Sequence, residues 1–532
     1  MITPRPTKLL LILALLTSGI MLLPLIGLGL GLINPPQNPL MSQSSLLELW
    51  SQGDVWGLLI NTIILGLSVA ILAVIFGTYL AYLSMRADYP FQRILALLGL
   101  LPLAMPSYIL AACLREVLSP SSFLGLTFNL PFFTGFFPVL ITLVVITTPY
   151  VQLLVSASLA RLSGTELDAA RTLGATRFTL FWKIILPHAR PSIAFAFLIS
   201  LLYVVSEFGA VSVLNYPVLT WRLYQAVDHQ QLAQATLLGC SLLALSIPMV
   251  LISRLVHGQV PLITQIANPK LTTRRNLNLT ERCFAYIMHA LLLGLGVVLP
   301  VIVLSVWVSN GLENQITFAP IYPALADSLK IALMAAVFIV LLSVAPAWFV
   351  ARKPYGVGRL IEQATYLGSA LPGVLLAFGL MLMALFLARS LHHANLYALL
   401  LQSGLLLMLG YTLCFLAQSY ASVKTAILRL DPRLYDSAKT LGASQFRYFT
   451  RIALPGLMPG LVTAFILVFI AVLKELPVTL LLAGAMGLRP LSFRVFDRYQ
   501  EAFLHDTGLA GLVLLLLSFT MTALILRWRS HV

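Results

Sequence analysis

Apolar residues fill this chain in long runs, and polar residues separate them in short ones. A helix needs about 20 consecutive apolar residues to cross the ~30 Å hydrocarbon core of a bilayer. Twelve segments meet that length: 9–31, 58–84, 94–114, 134–160, 192–215, 233–255, 284–308, 327–351, 362–388, 396–420, 460–483 and 507–526. Pro102 and Pro106 interrupt the third, and Pro372 interrupts the ninth. A membrane bundle tolerates such breaks where neighbours satisfy the freed backbone groups. The pattern predicts an all-α polytopic membrane protein. The first run follows Arg5 and Lys8 and has no clear small-residue cleavage site behind it, so it reads as a retained span.

The polar stretches set the orientation. Loops 32–57 and 310–326 carry no Lys or Arg. Loop 161–191 carries Arg161, Arg171, Arg177, Lys183 and Arg190, and loop 421–459 carries Lys424, Arg429, Arg433, Lys439, Arg447 and Arg451. Basic loops stay on the cytoplasmic side, which predicts both termini in the cytoplasm. The polar segment 256–283, with Lys270, Arg274 and Arg275, reads as a cytoplasmic linker between a first domain (1–255) and a second (284–532), each of six spans.

The two basic loops are copies of each other. "DAARTLGATRFTLFWKIILP" at 168–187 recurs as "DSAKTLGASQFRYFTRIALP" at 436–455, an offset of 268 residues from Asp168 to Asp436. Arg161 meets Arg429, Pro191 meets Pro459 and Glu207 meets Glu475 at that offset. "AMPSYILA" at 104–111 faces "ALPGVLLA" at 370–377, and Arg86 faces Arg352, at an offset of 266. Each half holds an even number of spans, so the duplication is a parallel repeat about an axis along the membrane normal.

Each copy has the grammar of two helices and a corner. In the first copy Ser163 with Glu166 three positions on reads as a capping box, and in the second Asp431 caps with Pro432 at the first helical position. Gly174 and Gly442 are the residue type that ends a helix in the left-handed conformation. A second helix from about Thr176 carries Phe178 and Phe181 on one side, and Pro187 and Pro455 close the unit before the next span. Ala170 and Ala438 keep one face small, so something else can approach closely. A twofold surface feature predicts a partner of twofold symmetry.

Composition supports the membrane reading. Of 532 residues 59% are hydrophobic and only 10% charged, against roughly 25% charged in soluble domains. The net charge of +15 is dealt out in short groups between spans, so it reports topology and excludes a nucleic-acid surface. Cys113, Cys240, Cys283 and Cys414 lack metal or redox spacing. Ionisable residues inside spans are costly and direct attention to function. Glu207, with Tyr203 one turn before it, and the pair Lys474 and Glu475 fall in the fifth span of their halves. They are candidates for a translocation path; the alternative is that the glutamates hold the halves together through hydrogen bonds. His392, His393, His505 and Asp506 form no wider cluster, so no metal site is assigned. Arg222, Arg489, Arg494 and Arg498 fall in predicted outer loops, where they either meet a docking protein or are ordinary exposed charges.

The loop pattern of acid, Ala, Ala, then Gly four residues on, then Ile-x-Leu-Pro resembles permease subunits of binding-protein-dependent ABC importers. Asp168, Ala169, Ala170, Gly174, Ile184, Leu186 and Pro187 fit it, as do Asp436, Ala438, Gly442, Ile452, Leu454 and Pro455. Asp stands where the family has Glu, and Ser437 replaces the first Ala in the second copy. The chain as a whole resembles a fused, double-length pair of such domains with the type I importer fold. "PLAMPSY", "SEFGAVSVL" and "KELPVTLLL" look like the ferric-iron permease group. The resemblance implies that the loops couple to a homodimer of ATPase subunits, that a periplasmic binding protein delivers substrate, and that the chain sits in the bacterial inner membrane. It also implies that ATP and Mg are held by the partner ATPase and that this chain binds no cofactor and is not itself an enzyme; no G-x-x-x-x-G-K-[ST] phosphate loop is present. Thiamine and polyamine importers share the architecture. From other classes, an ion-gradient-driven secondary transporter and a non-transporting scaffold or receptor remain as rivals.

Overall fold

The computed structural model describes residues 8–33, 54–120, 134–257 except 163, and 275–529 except 394 and 432. Most of the expected linker, with Lys270 and Arg274, lies outside the described residues, as do Arg5, Ser163 and Pro432. Among the described residues ten helices are long and apolar enough to cross a membrane. Two bent pairs complete the twelve: Lys8–Ile20 with Leu23–Ile33, bent by 44°, and Gln92–Ala104 with Ser107–Val117, bent by 97°. The sharper bend falls at Met105 and Pro106, where proline's missing N–H and its preference for an extended predecessor end the first helix.

Two compact units divide the chain. One comprises the described parts of 51–222 and 241–316. Its centre is a packing of the second span (Val55–Arg86), the fourth (Phe136–Leu159) and the long helical run Phe178–Val205. Ala73, Ala81, Val151, Val155 and Ala196 are buried where these helices meet. Small residues let membrane helices approach closely, which replaces the hydrophobic drive that lipid removes. In the same unit Leu279–Glu313 packs on Ser107–Val117, and Tyr79 and Phe284 meet edge to face at 5.3 Å. A short parallel pairing joins Ala87–Asp88 to Arg275–Asn276.

The other unit comprises the described parts of 1–50, 223–240 and 317–532. Tyr322–Arg352, Leu405–Arg429 and Phe446–Lys474 pack here as their counterparts do in the first unit. The N-terminal pair belongs to this unit: Lys8–Ile20 lies on Tyr322–Arg352, and Leu23–Ile33 lies on Gly373–Ser390. Gly27 and Gly379 make the second contact possible. A Cβ on Gly27 would meet the Gly379 carbonyl, and one on Gly379 would stand 2.7 Å from the Pro24 Cβ.

The compact units therefore do not coincide with the sequence halves 1–255 and 284–532. Each contains the first span of the opposite half: 8–33 in one, 279–313 in the other. The cause is local. Glycines at 27 and 31 give the N-terminal helix a smooth face, and the smooth face that receives it includes Gly379.

One element departs from the sequence expectation. Pro187 and Pro455 do not close the repeated loop. The second loop helix runs on through the proline into the next span, as Phe178–Val205 and Phe446–Lys474. A wider π turn precedes each proline, at Phe181–Ile185 and Phe449–Ala453. Leu186 and Leu454 each donate to the carbonyl five residues back, at Phe181 and Phe449. The ring of a helical proline clashes with the carbonyl four residues before it, and the looser turn gives that carbonyl room. Gly294–Val298 does the same ahead of Pro300.

Candidate functional site

Each repeated loop folds as an elbow of two short helices. The first elbow has Gly164–Thr172 and then the helix beginning at Arg177; the second has Arg433–Thr440 and the helix beginning at Gln445. Asp431 caps the second elbow, its Oδ1 accepting from the Arg433 amide at 2.9 Å. At the corners Gly174 has φ +80° and Gly442 has φ +76°. The amides beyond them close the helix ends in the same way. Ala175 donates to the Ala170 carbonyl at 3.0 Å and Gly174 to Arg171 at 2.9 Å; Ala443 donates to Ala438 at 2.9 Å and Gly442 to Lys439 at 3.0 Å. This paired motif needs a left-handed residue at the corner, and glycine adopts it without steric cost.

The second helix of each elbow has its own cap, which the sequence reading missed. Thr176 Oγ1 accepts from the Thr179 amide at 3.2 Å, and Ser444 Oγ accepts from the Arg447 amide at 3.3 Å. The two hydroxyls stand at the 268-residue offset, so a polar cap two residues after each glycine was the available signal.

Ala438 is buried, packed with Tyr448 and Ala453, while Tyr435 and Tyr448 meet edge to face at 5.0 Å. Ala170 is half-buried against the cluster holding Leu167, Leu180 and Ile185. Within the protein, what approaches these alanines is the elbow's own second helix. The outward face is different. Leu173 and Leu441, each just before its glycine, are 87% exposed, and Phe178 and Phe446 are exposed beside them. Ala169, Asp436 and Ser437 are exposed as well. Four large apolar side chains thus stand clear of the protein on two equivalent corners, with basic residues around them. Exposed apolar groups of this kind, ringed by polar ones, mark contact surfaces.

Arg86 anchors the first elbow to the span packing. Its Nη2 donates to the carbonyls of Leu159 and Leu162, at 2.8 and 2.9 Å, and the residue is buried. Those carbonyls lie at and just beyond the end of Phe136–Leu159, where a helix leaves acceptors unsatisfied and carries partial negative charge. Its counterpart Arg352 instead lies 5.5 Å over the Trp348 ring. In that unit Lys424 pairs with Glu362.

The intramembrane carboxylates lie at helix breaks and not within helices. Phe178–Val205 ends just before Glu207, and a five-residue helix, Gly209–Val213, follows. Glu207 Oε1 accepts from Ser107 Oγ at 2.6 Å and from the Ala210 amide at 2.9 Å, and the residue is 6% exposed. Tyr203 reaches the same carboxylate and lies beside Tyr150 at 5.8 Å. In the other unit the long helix ends at Lys474 and Glu475 opens the short helix Pro477–Leu482. Glu475 accepts from the Val478 amide at 2.9 Å, the Thr479 amide at 3.0 Å and Thr479 Oγ1 at 2.9 Å; Tyr411 and Thr479 share a further hydrogen bond at 2.8 Å. Gly373 lies against the Glu475 side chain where Ser107 stands in the first unit. The motifs at 102–108 and 206–214 therefore meet at one point, and those at 370–377 and 474–482 at another. In both places the carboxylate satisfies amides that the helix break sets free.

Asp506, one of the residues weighed as a metal ligand, accepts from the Ala319 amide at 3.1 Å and lies 3.9 Å from both Arg494 and Arg498. Arg494 also donates to the Ala319 carbonyl at 2.8 Å. Arg494 thus ties the segment at 319–320 to Asp506, and Arg498 pairs with Glu501 and Asp506. Among the described residues no three His, Cys, Asp or Glu side chains converge.

Long apolar helices in two repeats, broken spans with capped carboxylates at the breaks, and twin outward elbows define a duplicated membrane permease. The chain belongs to the binding-protein-dependent transport system inner membrane component family, whose model matches residues 73–264 and again 295–531. It has the type I permease fold and lies in the inner membrane as a multi-pass protein. The Fe(3+)-transport system permease protein FbpB 2 of Haemophilus influenzae is 28% identical over 454 residues, covering 84% of each chain. The putative ferric transport system permease protein FbpB 1 of the same organism is 22% identical over 469 residues, covering 83% of this chain and 72% of the relative. The spermidine/putrescine transport system permease protein PotC of that organism is 29% identical over 202 residues, 37% of this chain and 74% of the relative.

Proposed function

We propose that this chain is the whole transmembrane pathway of an ATP-driven importer of ferric iron, with both pore-forming domains fused in one polypeptide. The observation that carries the reading is the duplicated elbow: two equivalent corners, each presenting an exposed leucine and phenylalanine, on a chain without a phosphate loop of its own. Each elbow docks on one copy of a separate ATPase, which holds the ATP and Mg. Because Phe178–Val205 and Phe446–Lys474 run unbroken from the elbow into the membrane, a displacement of the elbow is carried along a rigid rod to the break at Glu207 or Glu475. The elbows face the cytoplasm with both termini, which places the basic loops inside, and a periplasmic binding protein docks on the opposite side. The chain performs no covalent chemistry and holds no cofactor. It supplies two gate states whose balance its partners shift.

Ferric iron is favoured because both double-length relatives, named for ferric transport, align along more than four-fifths of this chain. Relatives named for sulfate or polyamines match about a third of it. In proteoliposomes holding the chain, its ATPase and its binding protein, labelled ferric iron is expected to enter on ATP and labelled thiamine or spermidine to stay out. Entry of thiamine instead would reassign the substrate. Uptake on an ion gradient without ATP would reject the whole reading.

A further inference from the structure

The helix Phe178–Val205 carries a stripe that the importer reading does not use. Lys183, Leu186, Arg190, Ile193 and Phe197 follow one another at helical spacing. Leu186, Ile193, Ala194 and Phe197, with Val74 of the second span, line an apolar groove of about 570 Å³, and Arg190 borders it. Lys183 and Arg190 are exposed, and neither has a carboxylate partner among the described residues. Trp182, half-exposed, stands next to Lys183. Aromatic rings with basic residues are the side chains that settle at the headgroup level.

Depth along the helix matches. Its 28 residues make a rod of roughly 42 Å, longer than the ~30 Å of hydrocarbon, so one end stands in the interface. Val205 lies two residues before the intramembrane Glu207, so that end of the helix is inside the bilayer, and the hydrocarbon on the elbow side begins near residue 192, where the expected fifth span starts. Arg190 lies ~3 Å outside that limit, at headgroup height, and Lys183 lies ~14 Å outside it. Arg190 at headgroup height over an apolar groove running toward the bilayer centre, with Lys183 further out on the elbow side, matches an anionic phospholipid, phosphate against Arg190 and acyl chain in the groove. The repeat supplies an internal contrast. At the 268-residue offset Arg190 is replaced by Met458, 51% exposed, while Arg451, Leu454, Leu461 and Phe465 keep the rest of the stripe.

We infer that the first unit holds a structural anionic phospholipid in this groove, in the leaflet on the elbow side, and that the second unit does not. The test is native mass spectrometry of the full chain released from nanodiscs of mixed phosphatidylglycerol and phosphatidylethanolamine with identical acyl chains. The wild type is expected to retain one phosphatidylglycerol in preference to phosphatidylethanolamine. Arg190→Met, which installs the residue native to the other repeat, is expected to lower that preference by about fivefold, the worth of one interfacial cation. Ile193→Trp, which fills the groove and leaves both cations, is expected to lower retention as much. Equal retention of the two lipids by the wild type overturns the inference. So does an Ile193→Trp variant that keeps its phosphatidylglycerol, because the attraction would then be diffuse and unseated. Monodisperse elution of both variants excludes misfolding as the cause of a loss.

Discussion

Glu475 follows the end of the long helix Phe446–Lys474 and satisfies two amides and one hydroxyl of the next helix. A carboxylate only accepts hydrogen bonds, and here every neighbour named is a donor. Gln in its place would turn an NH2 group toward one of those amides. Leaving such a buried donor unsatisfied costs about 1–3 kcal/mol. Glu475→Gln should therefore lower the thermal unfolding midpoint of the purified protein by several degrees, with transport falling in proportion to folded protein. An unchanged midpoint with abolished transport would return the residue to the translocation path. Gly174 and Gly442 make a second prediction at this scale. A β-branched residue at φ near +80° is strained by about 1–2 kcal/mol or more, whereas Asn tolerates that region. Gly442→Val should uncouple ATP hydrolysis from transport and Gly442→Asn should largely retain coupling, as read by phosphate release against substrate uptake. Equal behaviour of the two variants would show that the corner's backbone conformation is immaterial.

At the level of elements, the elbow was legible in the sequence because its signals are local: a glycine after a short helix, charged residues in an apolar chain, and a second copy to confirm each position. The corner glycines took the left-handed conformation that the pattern required. What could not be read locally was where each element ends. A proline after a polar segment looks like a boundary, yet Pro187 and Pro455 lie inside continuous helices because a π turn absorbs the clash. Glu207 looked like a residue within a span, but the span breaks just before it. Both differences depend on hydrogen bonds to residues distant in sequence or on a change of helical register, which periodicity does not encode. Arg86 shows the same limit: its partners, Leu159 and Leu162, lie more than 70 residues away. Arg86→Leu should free those carbonyls and loosen the first elbow. Hydrogen exchange is expected to speed up at amides 164–175 and to stay unchanged at 433–443. Faster exchange at both elbows, or at neither, would contradict a local anchor.

For the molecule as a whole, the duplication was readable and the exchange of first spans was not. Repeats are written in sequence, and two copies of one pattern predict two copies of one fold. Which copy a helix packs against depends on surface fit, and the fit of Gly27 to Gly379 is visible only in three dimensions. The exchange puts the start of each sequence half into the unit built mainly from the other half. Each elbow offers an exposed apolar corner of the same kind, Leu173 with Phe178 and Leu441 with Phe446. The direct measurement is site-specific crosslinking from Leu173→Cys and, separately, Leu441→Cys, in cells actively importing substrate. Both positions should capture the same ATPase polypeptide, with yields that change together when ATP hydrolysis is blocked. Full transport with neither position ever crosslinking to a nucleotide-binding protein would contradict the account.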